Sequence, residues 1–271
     1  MLPYATAAEA EAALGRVMTS AEAAWFRYSA ALPDPLLYCL TIAIVLLVYT
    51  LVGLPLALVE LSAPADDVSV MQYKLQPRVR LSPAEFLRCY LDSVRLLVLY
   101  GGGLSVLSYP GLKILVRTGL PLPSASQTVA QLIVYLMVQD YVTYWFHRVL
   151  HTRWVYQNIH RVHHEYTAPF GFVSEYAHWA DVLLLGVPSM AGPAIIPCHV
   201  TTLWLWFAML QVIAIDLHSG FDFPFNPTNF IPFYGGARHH DYHHRVGSQS
   251  NFAPTFTYCD YLYGTDKLTI L

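Results

Sequence analysis

Charge is what this sequence has least of: Asp, Glu, Lys and Arg together make up 12% of 271 residues, against 55% hydrophobic residues. A soluble globular domain carries about twice that share of charge, so a membrane protein is the first reading. Net charge is -3, with no basic patch, which excludes a nucleic-acid footprint. Cysteine is scarce as well. Cys39, Cys89, Cys198 and Cys259 lie far apart with no Cys-x-x-Cys pair, so neither a disulfide framework nor a thiolate metal site is expected. No basic stretch leads into a short apolar run near the start, and Glu9, Glu11 and Glu22 precede any such run. A cleavable signal peptide is therefore not expected. Gly101-Gly102-Gly103 lacks the spacing and the strand–turn–helix setting of a dinucleotide loop and reads as a close helix contact.

What is abundant is uncharged sequence. A bilayer-spanning helix needs about 20 apolar residues. Leu36 to Val59 supplies them, and Leu96 to Leu112 and Thr118 to Gln139 are further uncharged stretches. Val182 to Ile215 is too long for one span and holds Gly186, Pro188, Gly192, Pro193 and Pro197. It reads as a hairpin of two short segments. The fold class expected is all-α, an integral membrane protein with about four transmembrane helices and a histidine-rich di-metal cap on the cytosolic side. Three regions follow: an amphipathic N-terminal segment (1–35), membrane helices with a connecting loop (36–139), and the histidine-bearing region (140–271) containing the hairpin 182–215. Thr6 to Tyr28 is expected to form one amphipathic surface helix. Lys74, Arg78, Arg80 and Arg88, with Arg148, Arg153, Arg161, Arg238 and Arg245, assign the loop and the histidine regions to the cytosol by the positive-inside rule.

The second abundance is histidine, 12 in all. His147 and His151 are four apart; His160, His163 and His164 form a second group, and His239, His240, His243 and His244 a third. Residues three and four apart share a helix face, so each group presents several imidazoles in one direction. Neutral imidazole suits Fe, Zn, Cu or Ni. A structural zinc site closes with four ligands, and these groups offer at least eight, enough for two ions. Sharing one site forces the intervening apolar chain to cross an even number of times, which the hairpin does. His218, where the chain re-emerges, is a further ligand candidate. His178 divides evenly between ligand, supporting partner and structural residue, and His199 reads as structural. Asp140, at offsets of seven and eleven from His147 and His151, is a candidate to hydrogen-bond the ligands. Neighbours on a helix point about 100° apart, so His163 and His164 are expected to serve one metal each.

The motifs His147-Arg-Val-Leu-His151, His160-Arg-Val-His163-His164 and His240-Asp-Tyr-His243-His244 resemble the fatty acid hydroxylase superfamily. His164-Glu-Tyr-Thr-Ala-Pro-Phe-Gly171, Glu175-Tyr-Ala-His178 and Phe233-Tyr-Gly-Gly236 are similar to its C-4 methylsterol oxidase branch. The resemblance implies a non-haem di-iron centre that zinc can replace on purification, in the endoplasmic reticulum membrane. It also implies O2 as oxidant and NAD(P)H electrons delivered by cytochrome b5 and its reductase. His147, His151, His160, His163, His164, His218, His240, His243 and His244 are then the metal ligands. His178, His239, Asp222 and Asp140 are further metal or supporting candidates, Asp222 standing where some relatives carry histidine. A homodimer is compatible with this reading. The substrate implied is a large hydrophobic lipid: a 4-methylsterol or, by likeness to a sister branch of aldehyde decarbonylases, a very-long-chain aldehyde. A transporter would place ionisable ligands inside its spans, and a bis-histidine haem leaves most of these imidazoles unexplained. A non-catalytic metal-binding relative stays open as a third reading.

Overall fold

The computed structural model describes residues 4–64, 68–246 and 250–267. The described residues are mainly helical, with one two-residue parallel pairing among them, Val116–Arg117 with Cys198–His199. The N-terminal segment forms two helices, α1 (Ala7–Leu14) and α2 (Ser20–Ala30), instead of the single helix expected. Two local signals divide it. Gly15 ends α1 in the left-handed conformation at φ +66, which glycine adopts without steric cost. Thr19 and Glu22 then open α2 with a reciprocal capping box.

Among the described residues, three helices are long and apolar enough to cross a membrane: α3 (Asp34–Ser62), α4 (Pro83–Leu107) and α7 (Val200–Leu217). The α4 helix carries a π-helical turn at Leu97–Gly101. Between α4 and α7 run α5 (Ala125–Leu150) and the shorter apolar α6 (Trp179–Ile195). The hairpin inferred from parity is α6 and α7, joined at residues 196–199. Leu47, Leu51, Leu54 and Leu58 of α3 are each 44–61% exposed. Their spacing places them on one helix face. Against hydrocarbon such a stripe loses nothing, whereas in water it would be an association hazard.

Two ends are held together by polar ties. At one, Trp25 Nε1 donates to the Thr118 carbonyl (2.8 Å), and Tyr38 donates its hydroxyl to Val116 O (2.6 Å). Gln131 reaches the Pro197 carbonyl in the hairpin turn. These are the contacts a buried backbone demands where no helix partner exists. At the other end a buried Glu60–Lys74 ion pair closes α3 onto its loop, and Leu75 N donates to Gly220 O (2.9 Å). The helix α8 (Gly236–Val246) lies at this second end. Since α5 runs from the first end to the second, α6 returns and α7 comes back, both flanks of the hairpin share a face. Cysteines added at exposed Asn158 and Asn229 should therefore label together in sealed microsomes, and one at Ser124 should show the opposite protection. Opposite labelling of Asn158 and Asn229 would refute the arrangement.

A candidate di-metal centre of nine histidines

The C-terminal turn of α5 presents His147 and His151, and a 3-10 turn at His160–Glu165 presents three more imidazoles. His218 caps the end of α7, and α8 brings His240, His243 and His244. The nine separate into two groups whose ring nitrogens lie within 4.8 Å of one another. His147, His151, His160, His164 and His243 make the first, and His163, His218, His240 and His244 the second. The adjacent pair His163–His164 is thus divided between the groups, and so is His243–His244. All but His163 are buried.

Hydrogen bonding sets the tautomers. Nδ1 of His147 faces Phe252 O (2.7 Å), that of His163 faces Tyr176 O (3.0 Å), and that of His218 faces Ala214 O (2.7 Å). His243 and His244 face the carbonyls of Ser250 and Tyr166 in the same way. A carbonyl only accepts, so these rings hold their proton on Nδ1 and present a lone pair at Nε2. His163 Nε2 and His218 Nε2 stand 3.2 Å apart, and His240 Nε2 is 2.9 Å from His218 Nε2. The facing lone pairs of His163 and His218 repel unless a cation lies between the rings. In the first group, Nε2 of His151, His160, His164 and His243 are buried with no partner. Burial and mutual repulsion also keep the rings neutral, depressing His163 to about 4 and His218 to about 3. Neutral, convergent, all-nitrogen donors fit a borderline transition metal, and the backbone carbonyls provide the orienting partners such ligands use.

The remaining three histidines have other work. His178 caps α6, accepting from Ala180 N (3.2 Å), and His199 caps α7, accepting from Thr201 N (3.2 Å). His199 also packs edge-on against Trp25 at the opposite end of the molecule. His239 turns away from its helix neighbours to the buried Asp260, 3.4 Å from its carboxylate. Neither acidic candidate joins a group. Asp140 accepts from the amides of Thr255 and Phe256 (2.9 and 3.0 Å), pinning the C-terminal segment to α5. Asp222 is bound by the Arg238 guanidinium. The carboxylate that does reach a group histidine is Asp181, 3.3 Å from His160 Nδ1 and buried. Its sequence signal was weak, a lone acid at the start of an apolar run.

A cavity of about 350 Å³ opens from the histidines into the helix bundle. His147, His160, His163, His218 and His240 line one end. Val45, Leu104, Leu185 and Phe207 are among its walls, and Tyr38 and Leu112 stand towards the other end of the bundle. Glu175 also faces it, a carboxyl that burial raises to about 7.

The fatty acid hydroxylase model matches residues 132–265, which contain all nine grouped histidines. A methylsterol monooxygenase of Arabidopsis thaliana is 53% identical over 270 residues, covering 98% of this chain and 90% of the relative. The chain belongs to the fatty acid hydroxylase family. Within this family, a very-long-chain aldehyde decarbonylase of Oryza sativa subsp. japonica is 62% identical over 270 residues, covering 98% of the chain and 89% of the relative. Another decarbonylase, from Oryza sativa subsp. indica, is 45% identical over 199 residues, covering 72% of this chain and 74% of the relative. No solved structure matches the chain.

Proposed function

We propose that this fatty acid hydroxylase family member is a membrane-bound, non-haem di-iron oxygenase that uses O2 to oxidise the C-4 methyl group of a sterol. The observation that carries this reading is the meeting of two all-imidazole groups with one end of a long apolar cavity. Iron bound in the two groups would supply reductive activation of O2. The protein's own residues do the remainder. Nine imidazoles hold the ions, backbone carbonyls fix their tautomers, and an apolar wall excludes the water that would quench a strong oxidant. Electrons enter from NAD(P)H through cytochrome b5 and its reductase, at an endoplasmic reticulum membrane whose cytosolic face bears the histidines.

The sterol assignment draws on the methylsterol monooxygenases among the relatives, at 50–53% identity. A second reading, deformylating oxidation of a very-long-chain aldehyde to an alkane, is favoured by the name of the 62% identical relative. The two separate in one reconstitution. Iron-loaded protein in nanodiscs, supplied with a reductase system and O2, is expected to carry two irons per chain without a haem Soret band. It should convert a 4-methylsterol to its 4-hydroxymethyl product. Alkane and formate from a long aldehyde, with the sterol untouched, would transfer the assignment to the second reading. Fewer than two metals per chain would sink both.

A further inference from the structure

The cavity is apolar for most of its length, yet polar groups lacking well-formed hydrogen bonds collect near its histidine end. Ser174 Oγ is buried and makes no hydrogen bond within the protein, and Gln211 Nε2 is buried with only the Glu175 carboxyl as a polar neighbour and no well-formed hydrogen bond to it; all three residues line the cavity. Tyr49 and Trp206, by comparison, donate to backbone carbonyls, as buried polar groups ordinarily do. Leaving buried polar groups without well-formed hydrogen bonds costs stability, and a ligand that completes them removes that cost.

Their position is fixed relative to the metal groups. Glu175 immediately precedes Tyr176, whose carbonyl orients His163. Gln211 lies seven residues before His218 on α7, two turns along the same face, or about 10 Å by the helical rise. The Gln211 amide is also the neighbour that favours ionisation of Glu175. Set near neutrality, that carboxyl can donate or accept a hydrogen bond.

We propose that Glu175 and Gln211, with Ser174 beside them, bind a hydroxyl group carried on the ring carbon next to the one that bears the oxidised methyl group. This assignment rests on the sterol reading: a 4-methylsterol bears its 3-hydroxyl one carbon from C-4, whereas a long-chain aldehyde has no such group. The Gln211 amide donates to the hydroxyl oxygen and Glu175 accepts its proton in a hydrogen bond. With the hydroxyl held, the ring system extends along the apolar walls and the C-4 methyl group faces the histidines. Glu175 and Gln211 are thus specificity and positioning residues, and the metals are held without them.

The test is equilibrium binding to zinc-loaded protein, which needs no turnover. A radiolabelled 4,4-dimethylsterol is displaced by a 4-methylsterol and by its 3-deoxy analogue. A site built to pair a hydroxyl rejects the analogue lacking it strongly, so the wild type should prefer the 3-hydroxysterol by about tenfold or more. In Glu175→Leu and Gln211→Leu the preference should fall below about threefold, through weaker binding of the hydroxysterol. Glu175→Gln, which can still pair the hydroxyl, should keep most of it. All variants should hold two zinc ions, which certifies the fold. Undiminished preference in both leucine variants, or equal binding of the two sterols by the wild type, overturns the assignment alone. Binding of a long aldehyde with no binding of either sterol overturns the sterol reading and the assignment with it.

Discussion

Replacing His163 with alanine is expected to abolish turnover and to reduce bound metal from two ions per chain towards one. Its group has four members, so three imidazoles would remain, and water replaces the fourth poorly. His164→Ala should abolish turnover as well, by a different route. Its group has five members, so the first ion should stay bound more weakly but in an altered geometry. Even outer partners of metal ligands cost about 10- to 100-fold in affinity or activity, and loss of a ligand should cost at least as much. His199→Ala supplies the contrast. It removes a helix cap worth about 1 kcal/mol at the opposite end, and should leave both ions and substantial activity. Elemental analysis beside turnover checks all three. Two tightly held ions and near-normal rates in His163→Ala would end this account of the divided pair.

The second large effect is structural. A Cβ on Gly192 would sit 2.7 Å from the Cα of Tyr135 and 2.8 Å from its Cβ. Backbone cannot step aside as a side-chain tip can, and here it is pinned by Tyr135 bonding the Ile196 carbonyl and Gln131 bonding that of Pro197. Gly192→Ala gains about 1 kcal/mol of helix propensity and loses more, since overpacking costs about 1–3 kcal/mol where neighbours can shift. Close approach of helices through small residues is also how membrane bundles associate. The expected result is a thermal midpoint lower by several degrees and a poor yield of folded protein in detergent. An unchanged melting profile would show that α5 and α6 can part at no cost.

The clustering of the candidate site's histidines was legible because their spacing is local. Spacings of three and four along His147–His151 and His240–His244 need only helical periodicity to become shared faces. Parity needed only that two histidine regions meet across an apolar stretch, and α6 and α7 meet that requirement. The division of His163 from His164 was reached by α-helical angles, although the segment is a 3-10 turn; adjacent side chains diverge in either. What escaped was what depends on which loop covers which helix. Asp140 does lie on the histidine-bearing helix, but the amides of Thr255 and Phe256 reach it first. His199 reads as structural from sequence and His178 divides evenly between ligand, supporting partner and structural residue, but only the backbone conformation around them reveals that both are helix caps. Gln211 had no signal at all, since an amide among apolar residues is read as packing until the cavity beside it is seen.

The hairpin has a consequence for the surrounding lipid. At 1.5 Å per residue, the 17 residues of α6 and the 18 of α7 extend about 25–27 Å, less than the roughly 30 Å hydrocarbon thickness of a typical bilayer. Such a hydrophobic mismatch is relieved by thinning the adjacent leaflets, and α3, at 29 residues, must tilt to share that thinner slab. Spanning such a slab would bring the histidine end of α7 to the level of the headgroups. Under the proposed function, a hydrophobic lipid already lying in that leaflet would reach the histidine groups by sliding sideways, without being lifted into water.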